Sequence, residues 1–310
     1  RLLHRRTLAE TENCMSETAN LSDSRGGGLG IALLRMMLNV LGVNFTARFI
    51  WCISLFYVLF DKQGRERASW YLARRFPEDG PLRRLCHTWA LFTSQGQSLL
   101  EAAAIRADKV ELNCSGLEEF RKLIADNRGA ICLCSNFGQW QGMMRGVRPY
   151  KRKAWILARP DRNLNVNKFM AVNDLEDQIG FISTESPMGG LLDVYDALVD
   201  GGIVCMMGDR CLENEAVRVP FLGAEAKFPV AAFRIAARAS APVVPVFAFR
   251  ENGHRSVRVC FMPPILPQPG RSRDFTAPLR RYTAMLEQMA QEHPFECYLF
   301  ENIWSQDEKN

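Results

Sequence analysis

Residues 130–141 read AICLCSNFGQWQ, and this stretch decides the fold. The short apolar run over 130–134 follows a turn-like Asn-Arg-Gly sequence at 127–129, which predicts a buried strand. Residues 135–141 then lead from that strand towards a helix. In α/β folds the carboxyl ends of strands are where binding sites lie, so we expect a site at 135–141.

Strand and helix patterns alternate on the carboxyl side of this stretch. Apolar runs predict strands at 154–158, 181–183, 203–207, 242–249 and 257–261, and helical patterns occupy 165–178, 191–198, 228–239 and 279–291. In the third of these helices we expect Pro229 to lie in the first turn. The alternation predicts an α/β fold with a central, mostly parallel sheet flanked by helices.

The amino-terminal part of the chain is the most hydrophobic. Residues 49–60 contain Ser54 as their only clearly polar member, but a helix that spans a bilayer needs about 20 apolar residues. Two interpretations are open: a helix lying in the membrane interface or dipping into one leaflet, and a buried helix with a solvated charged face. Basic residues that favour contact with anionic lipid follow the apolar run: Lys62, Arg65, Arg67, Arg74, Arg75, Arg83 and Arg84.

The same patterns divide the chain into a flexible amino-terminal segment, residues 1–30, and a single domain over 31–310. Residues 31–75 are the apolar and basic part of that domain that we expect to contact the membrane. The residues before Met15 could be a vector-derived extension or upstream read-through.

Composition argues against several classes of protein. A net charge of +5 over 310 residues is too mild for a nucleic-acid-binding protein. Ten cysteines are present, but no CxxC pair or zinc-like spacing occurs, so we expect no metal site and a reducing, cytoplasmic compartment. The G-x-S-x-G elbow of α/β hydrolases and the P-loop motif do not occur.

The segment NFGQWQ at 136–141 resembles the first motif of the lysophospholipid acyltransferase superfamily, especially its lipid A biosynthesis acyltransferase-like branch. That motif is His-x4-Asp/Glu, often HFGNWE. Phe137, Gly138 and Trp140 match it. Asn136 stands at the position of the catalytic histidine, and Gln141 stands at the position of the carboxylate.

Further blocks in the family's order extend the likeness over roughly residues 30–305. They are Arg159-Pro160, Gly208-Asp209-Arg210, the segment VPFLG at 219–223, APVVP at 241–245, HPF at 293–295 and Trp304. The resemblance implies substrate-binding roles for Arg159, Asp209, Arg210, Phe221 and Gly223. An ordinary ion pair at a strand end is the alternative for Asp209 and Arg210.

The resemblance also implies a function. Family members transfer an acyl chain from acyl carrier protein or coenzyme A to a lipid or glycolipid hydroxyl, without a cofactor. The same resemblance implies that the chain is a peripheral or monotopic protein at the cytoplasmic face of the bacterial inner membrane.

The two amides change what this chain is expected to do. Histidine can remove a hydroxyl proton because its pKa lies near neutrality, whereas asparagine cannot accept a proton there. We therefore expect an acyltransferase fold with a disabled motif, either by a deliberate near-isosteric exchange or as a natural pseudoenzyme that binds lipid or a protein partner. We expect none of His4, His87, His254 and His293 to replace the missing base, and we expect His254 to be exposed in a hairpin turn.

Overall fold

The computed structural model describes residues 36–106, 110–125, 128–139, 153–158, 179–210, 216–267 and 274–305. The helices are α1 (Gly42–Phe60), α2 (Lys62–Arg75), α3 (Pro81–Arg106), α4 (Leu117–Ile124), α5 (Leu191–Val199), α6 (Ala231–Ala239) and α7 (Thr276–Glu292). The strands are β1 (Glu111–Ser115), β2 (Ala130–Cys134), β3 (Ala154–Ala158), β4 (Ile179–Ser183), β5 (Ile203–Met207), β6 (Ala216–Phe221), β7 (Ala224–Pro229), β8 (Val243–Glu251) and β9 (Ser256–Phe261). Two 3-10 turns occupy Pro187–Gly190 and Pro294–Glu296.

Seven of the strands form one mixed sheet in the order β1-β9-β8-β2-β5-β3-β4. Every neighbouring pair is parallel except β8 and β9, which are antiparallel and joined by the predicted turn. The remaining two strands, β6 and β7, form a separate hairpin. The predicted α/β architecture with a mostly parallel sheet is confirmed.

Strand β2 lies at the centre of the sheet and is buried along its whole length. Ile131 and Leu133 belong to one hydrophobic core, while Cys132 and Cys134 belong to the core on the opposite face. Alternate side chains of a strand point to opposite faces, so a continuous apolar run is what a doubly covered strand requires.

The structure corrects one predicted helix boundary and adds one strand. Phe228 and Pro229 do not begin the helix predicted over 228–239; they end β7, where Phe228 pairs with Val217 of β6, and α6 begins at Ala231. Strand β1 had no prediction, because its sequence ELNCS offers no apolar run and none of its residues is fully buried.

Helix α1 is apolar on two faces, and only one of them is covered. The covered stripe packs on α3, where a Cβ at Gly96 would lie 2.7 Å from Ile50 Cγ2, and where the Ser54 and Thr93 hydroxyls lie 2.5 Å apart. The opposite face exposes Phe45, Phe49, Phe56, Leu59 and Phe60, whereas Trp51, although partly exposed, packs against Trp89 of α3. By length and composition the helical stretch Met36–Phe60 could cross a membrane.

Helix α2, by contrast, belongs to the body of the domain. Tyr71 has no exposed surface, and its hydroxyl donates a hydrogen bond to the Pro294 carbonyl at 2.8 Å. Arg75 donates through Nε to the Ala290 carbonyl at 3.1 Å. Within residues 36–75 the exposed large apolar side chains therefore belong to α1 and to residues 36–41 before it.

Candidate functional site

The motif loop, residues 135–139, follows the carboxyl end of β2. Hydrogen bonds made by the loop's backbone hold it in place. The Asn136 carbonyl accepts a hydrogen bond from the Tyr298 amide at 2.7 Å. The Gly138 amide donates to the Glu296 carbonyl at 2.7 Å. These contacts join the loop to the carboxyl-terminal segment, so the position of Asn136 depends on residues far away in sequence.

Gly138 is required for this path. Its φ of +47° lies in the left-handed region, and a Cβ there would stand 1.9 Å from the Ala248 carbonyl oxygen. The Ala248 carbonyl accepts a hydrogen bond from the backbone N–H of Gln139 at 2.7 Å. Phe137 is buried and packs edge-on against Phe247. The matching Phe and Gly of the motif are thus structural, and they leave Asn136 as its partly exposed member among residues 135–139.

Asp209 meets Asn136 because β5 runs parallel to β2 and ends at the same edge of the sheet. The backbone N–H of Asn136 donates a hydrogen bond to Asp209 Oδ2 at 2.6 Å. Asp209 is 2% exposed, and its other oxygen, Oδ1, has no hydrogen-bond partner among the described residues. One oxygen of this carboxylate is therefore committed to the motif loop.

Burial also sets the proton affinity of Asp209. Desolvation raises the pKa of this carboxyl to about 6, although hydrogen bonds from the backbone and side chain of Asn136 and the charge of Arg210 act in the opposite direction. Arg210 itself is exposed. Such a carboxyl exchanges its proton close to neutral pH, and in its ionised form it can accept a hydrogen bond from the N–H of a neighbouring imidazole.

The edge of the sheet is closed by α7. The Tyr282 hydroxyl donates to the Cys134 carbonyl at 3.1 Å, and the Gly208 amide donates to the same oxygen at 2.7 Å. A Cβ at Gly208 would lie 2.7 Å from the Tyr282 ring, so the glycine before Asp209 makes room for this tyrosine. Nothing in the local sequence around Tyr282 pointed to this role.

The other predicted site residues are placed differently. Gln141 and Arg159 lie outside the described residues. Phe221 is fully buried, stacks on Trp304 and accepts the indole N–H of Trp304 at its carbonyl, at 3.2 Å. Gly223 is exposed in the turn of the β6–β7 hairpin, with a φ of +76°. Asn136, Asp209 and Arg210 therefore lie together at the carboxyl ends of β2 and β5, whereas Phe221 lies in the core.

The described histidines are engaged elsewhere. His254 is not exposed as expected: its Nδ1 lies 2.5 Å from the buried Glu101 carboxylate, and its side chain is 19% exposed. His293 stacks on Phe249 with 4.1 Å between ring centroids, and burial lowers its pKa. His87 Nδ1 lies 2.5 Å from Asp79 Oδ2.

No metal centre is found within the part of the chain that the structure describes. There, no group of three or more His, Cys, Asp or Glu side chains is arranged to hold an ion. All eight cysteines that are described carry free thiols. The chemistry of the described site thus rests on one buried carboxyl, one amide side chain and one exposed guanidinium.

Comparison with known protein families identifies a match over almost the whole chain. The model of a family described as bacterial lipid A biosynthesis acyltransferase matches residues 24–306. That span includes the motif loop, Asp209 and the carboxyl-terminal segment that holds the loop. No curated protein sequence matches the chain.

The buried Asp209 should weaken the fold at neutral pH. Its folded-state pKa of about 6 lies above the ordinary value of 3.8. The folded chain therefore holds the proton more tightly than the unfolded chain, and this contribution to stability is lost as pH rises from about 4 to about 6. Asp209→Asn should raise the free energy of unfolding at pH 8 by up to about 3 kcal/mol, and by less at pH 5.

Urea unfolding at the two pH values measures this difference. Asp196→Asn, at an exposed position on α5, is the matched control and should change little at either pH. An Asp209→Asn chain that is destabilised equally at both pH values would contradict the assignment.

Proposed function

Because the chain belongs to the bacterial lipid A biosynthesis acyltransferase family, we propose that its fold serves to move an acyl chain from acyl carrier protein or coenzyme A to the hydroxyl of a lipid or glycolipid. In that reaction the hydroxyl oxygen bonds to the thioester carbonyl carbon and the carbon–sulfur bond breaks. The hydroxyl proton passes to a base and then to the leaving thiolate. The protein must therefore supply a proton acceptor at the reacting hydroxyl.

The observation that carries this proposal is the 2.6 Å hydrogen bond from the backbone N–H of Asn136 to Asp209 Oδ2. It brings residue 136, which occupies the histidine position of the motif, against a buried carboxylate at the carboxyl edge of the sheet. A carboxylate there can orient an imidazole and stabilise its cation. Asp209 therefore supplements the carboxylate that the motif normally carries five positions after its histidine.

We propose that the chain as it stands turns over little or not at all. Asn136 cannot accept a proton at neutral pH, and Gln141 cannot stabilise an imidazolium. General-base catalysis contributes about 10²- to 10⁴-fold, so its loss alone accounts for a severe defect. A pseudoenzyme that binds lipid or a protein partner is the alternative, and the activity measurement below distinguishes the two.

We place the protein at the cytoplasmic face of the bacterial inner membrane, in a peripheral or monotopic arrangement. The exposed aromatic face of α1 supports contact with lipid, and the stripe that packs on α3 favours a helix lying along the domain. The free thiols are typical of a reducing compartment. Lys62, Arg74, Arg83 and Arg84 are exposed basic residues that follow α1 in the sequence and suit an anionic surface.

Activity should depend on residues 136 and 141 as a unit. We expect Asn136→His with Gln141→Glu to gain acyl transfer, Asn136→His alone to gain part of it, and Gln141→Glu alone to gain none. The measurement is thioester consumption coupled to formation of acylated lipid, for these three variants and the unchanged chain. Asp209→Asn added to Asn136→His should remove most of the partial gain, by roughly tenfold or more.

Two outcomes would contradict this. If the unchanged chain matches the double variant, a different base serves the reaction. If all variants are folded and inactive across a broad set of acyl donors and acceptors, the lipid-binding pseudoenzyme is favoured.

Vesicle binding should depend on the exposed face of α1. Phe56 and Phe60 are 58% and 71% exposed, and Phe56→Ser with Phe60→Ser should weaken binding to anionic vesicles by roughly tenfold, because less apolar surface enters the interface. Flotation with phosphatidylglycerol-containing vesicles measures this. Leu192→Ser with Val199→Ser is the matched control, since these side chains are 55% and 58% exposed on α5. Equal flotation of the two double variants would argue against α1 as the contact.

A further inference from the structure

A buried group of four ionisable side chains lies behind the motif loop. Glu101 comes from α3, Arg250 from the end of β8, His254 from the β8–β9 turn and Glu296 from the 3-10 turn after α7. Glu101 has no exposed surface, and the Arg250 and His254 side chains are 16% and 19% exposed. None of these residues belongs to the acyltransferase motif blocks.

Glu101 uses its two oxygens in different directions. Oε1 accepts a hydrogen bond from Arg250 Nε at 2.5 Å and lies 2.5 Å from His254 Nδ1. Oε2 accepts from Gln139 Nε2, in the motif loop, at 2.8 Å. Burial by itself would raise the pKa of Glu101, but the hydrogen bond from His254 and the charge of Arg250 lower it below its ordinary value. A charged carboxylate is thus held between the motif loop and two basic side chains.

Glu296 reinforces the same loop from the other side. Its carboxylate accepts the Arg250 amide at 3.0 Å, and its main-chain carbonyl accepts the Gly138 amide. Ser98, one turn before Glu101 on α3, donates its hydroxyl to the Gly138 carbonyl at 2.6 Å. Residues 138 and 139 are therefore held by hydrogen bonds to their backbone and to the Gln139 side chain.

Stability alone gives a weak reason for such a group. Buried ion pairs commonly contribute no more than well-packed apolar residues of the same volume, because desolvation offsets their attraction. The charged Glu101 acts in a defined direction: together with the Ser98 carbonyl, which also accepts a hydrogen bond from Gln139 Nε2, it holds the Gln139 side chain, three residues from Asn136, in one place. A carboxylate can accept hydrogen bonds on both sides at once, which an apolar side chain or an amide cannot.

We propose that Glu101 is a positioning residue, which fixes the motif loop through Gln139 so that residue 136 stays beside Asp209. The catalytic consequence rests on the proposed function, whereas the effect on the loop does not. Glu101→Gln keeps the shape of the side chain but turns an NH2 group towards either Gln139 or the Arg250 and His254 side chains. One of the two connections must then be lost.

Hydrogen exchange tests the effect on the loop in the full chain. Glu101→Gln should accelerate exchange of the Gly138 and Gln139 amides at least tenfold, while the Ile131 amide in β2 keeps its protection. Gln139→Met removes the same connection but keeps the contacts of Glu101 with Arg250 and His254, so it provides a second variant should Glu101→Gln fail to fold. It should accelerate the same two amides. Glu118→Gln, which removes an exposed carboxylate paired with Arg121 on α4, is the matched control and should change neither.

Exchange that is unchanged, or that rises uniformly along the chain, in the folded variants would overturn the proposal, since the group would then act only on overall stability. In the Asn136→His, Gln141→Glu background, Glu101→Gln should lower kcat about tenfold or more and leave KM within about twofold. A parent background without activity would count against the proposed function alone, because the exchange measurement still decides the role of Glu101. An active background whose kcat is unaffected by Glu101→Gln would overturn the catalytic part.

Discussion

The hydrogen bond from the backbone N–H of Asn136 to the Asp209 carboxylate is the contact on which the site depends. It joins the carboxyl ends of β2 and β5, two parallel strands at the centre of the sheet. The carboxylate is almost completely buried, and desolvation raises its pKa to about 6. The ionised Asp209 lowers stability at neutral pH, and one of its oxygens has no hydrogen-bond partner among the described residues. This combination is typical of a functional position.

Much of the fold could be predicted from the sequence, because its central strands are covered on both faces. The runs AICLC and IVCMM are continuous and apolar, and they became β2 and β5. The ELNCS strand is only half-buried and carries no such signal. Phe228 was assigned to a helix because the following residues have helical periodicity, whereas its pairing with Val217 is a tertiary contact that the local pattern does not contain.

Part of the site could also be predicted, because two of its residues follow buried strands. Asn136 and Asp209 each follow an apolar strand, and the carboxyl ends of parallel strands meet at one edge, so their proximity follows from topology. The buried position of His254 does not: it depends on Glu101, 153 residues earlier in the chain. Phe221 matched a family block, but its burial against Trp304 gives it a packing role that the motif could not distinguish from substrate contact.

The central claim is that residue 136 and Asp209 act as one unit, and an NMR titration of the imidazole introduced by Asn136→His tests it most directly. We expect this imidazole to have a pKa above its ordinary value of about 6.5, because the Asp209 carboxylate stabilises the cation. Adding Asp209→Asn should bring the pKa down by about one unit or more. Identical titration curves with and without Asp209→Asn, in folded variants, would contradict the account.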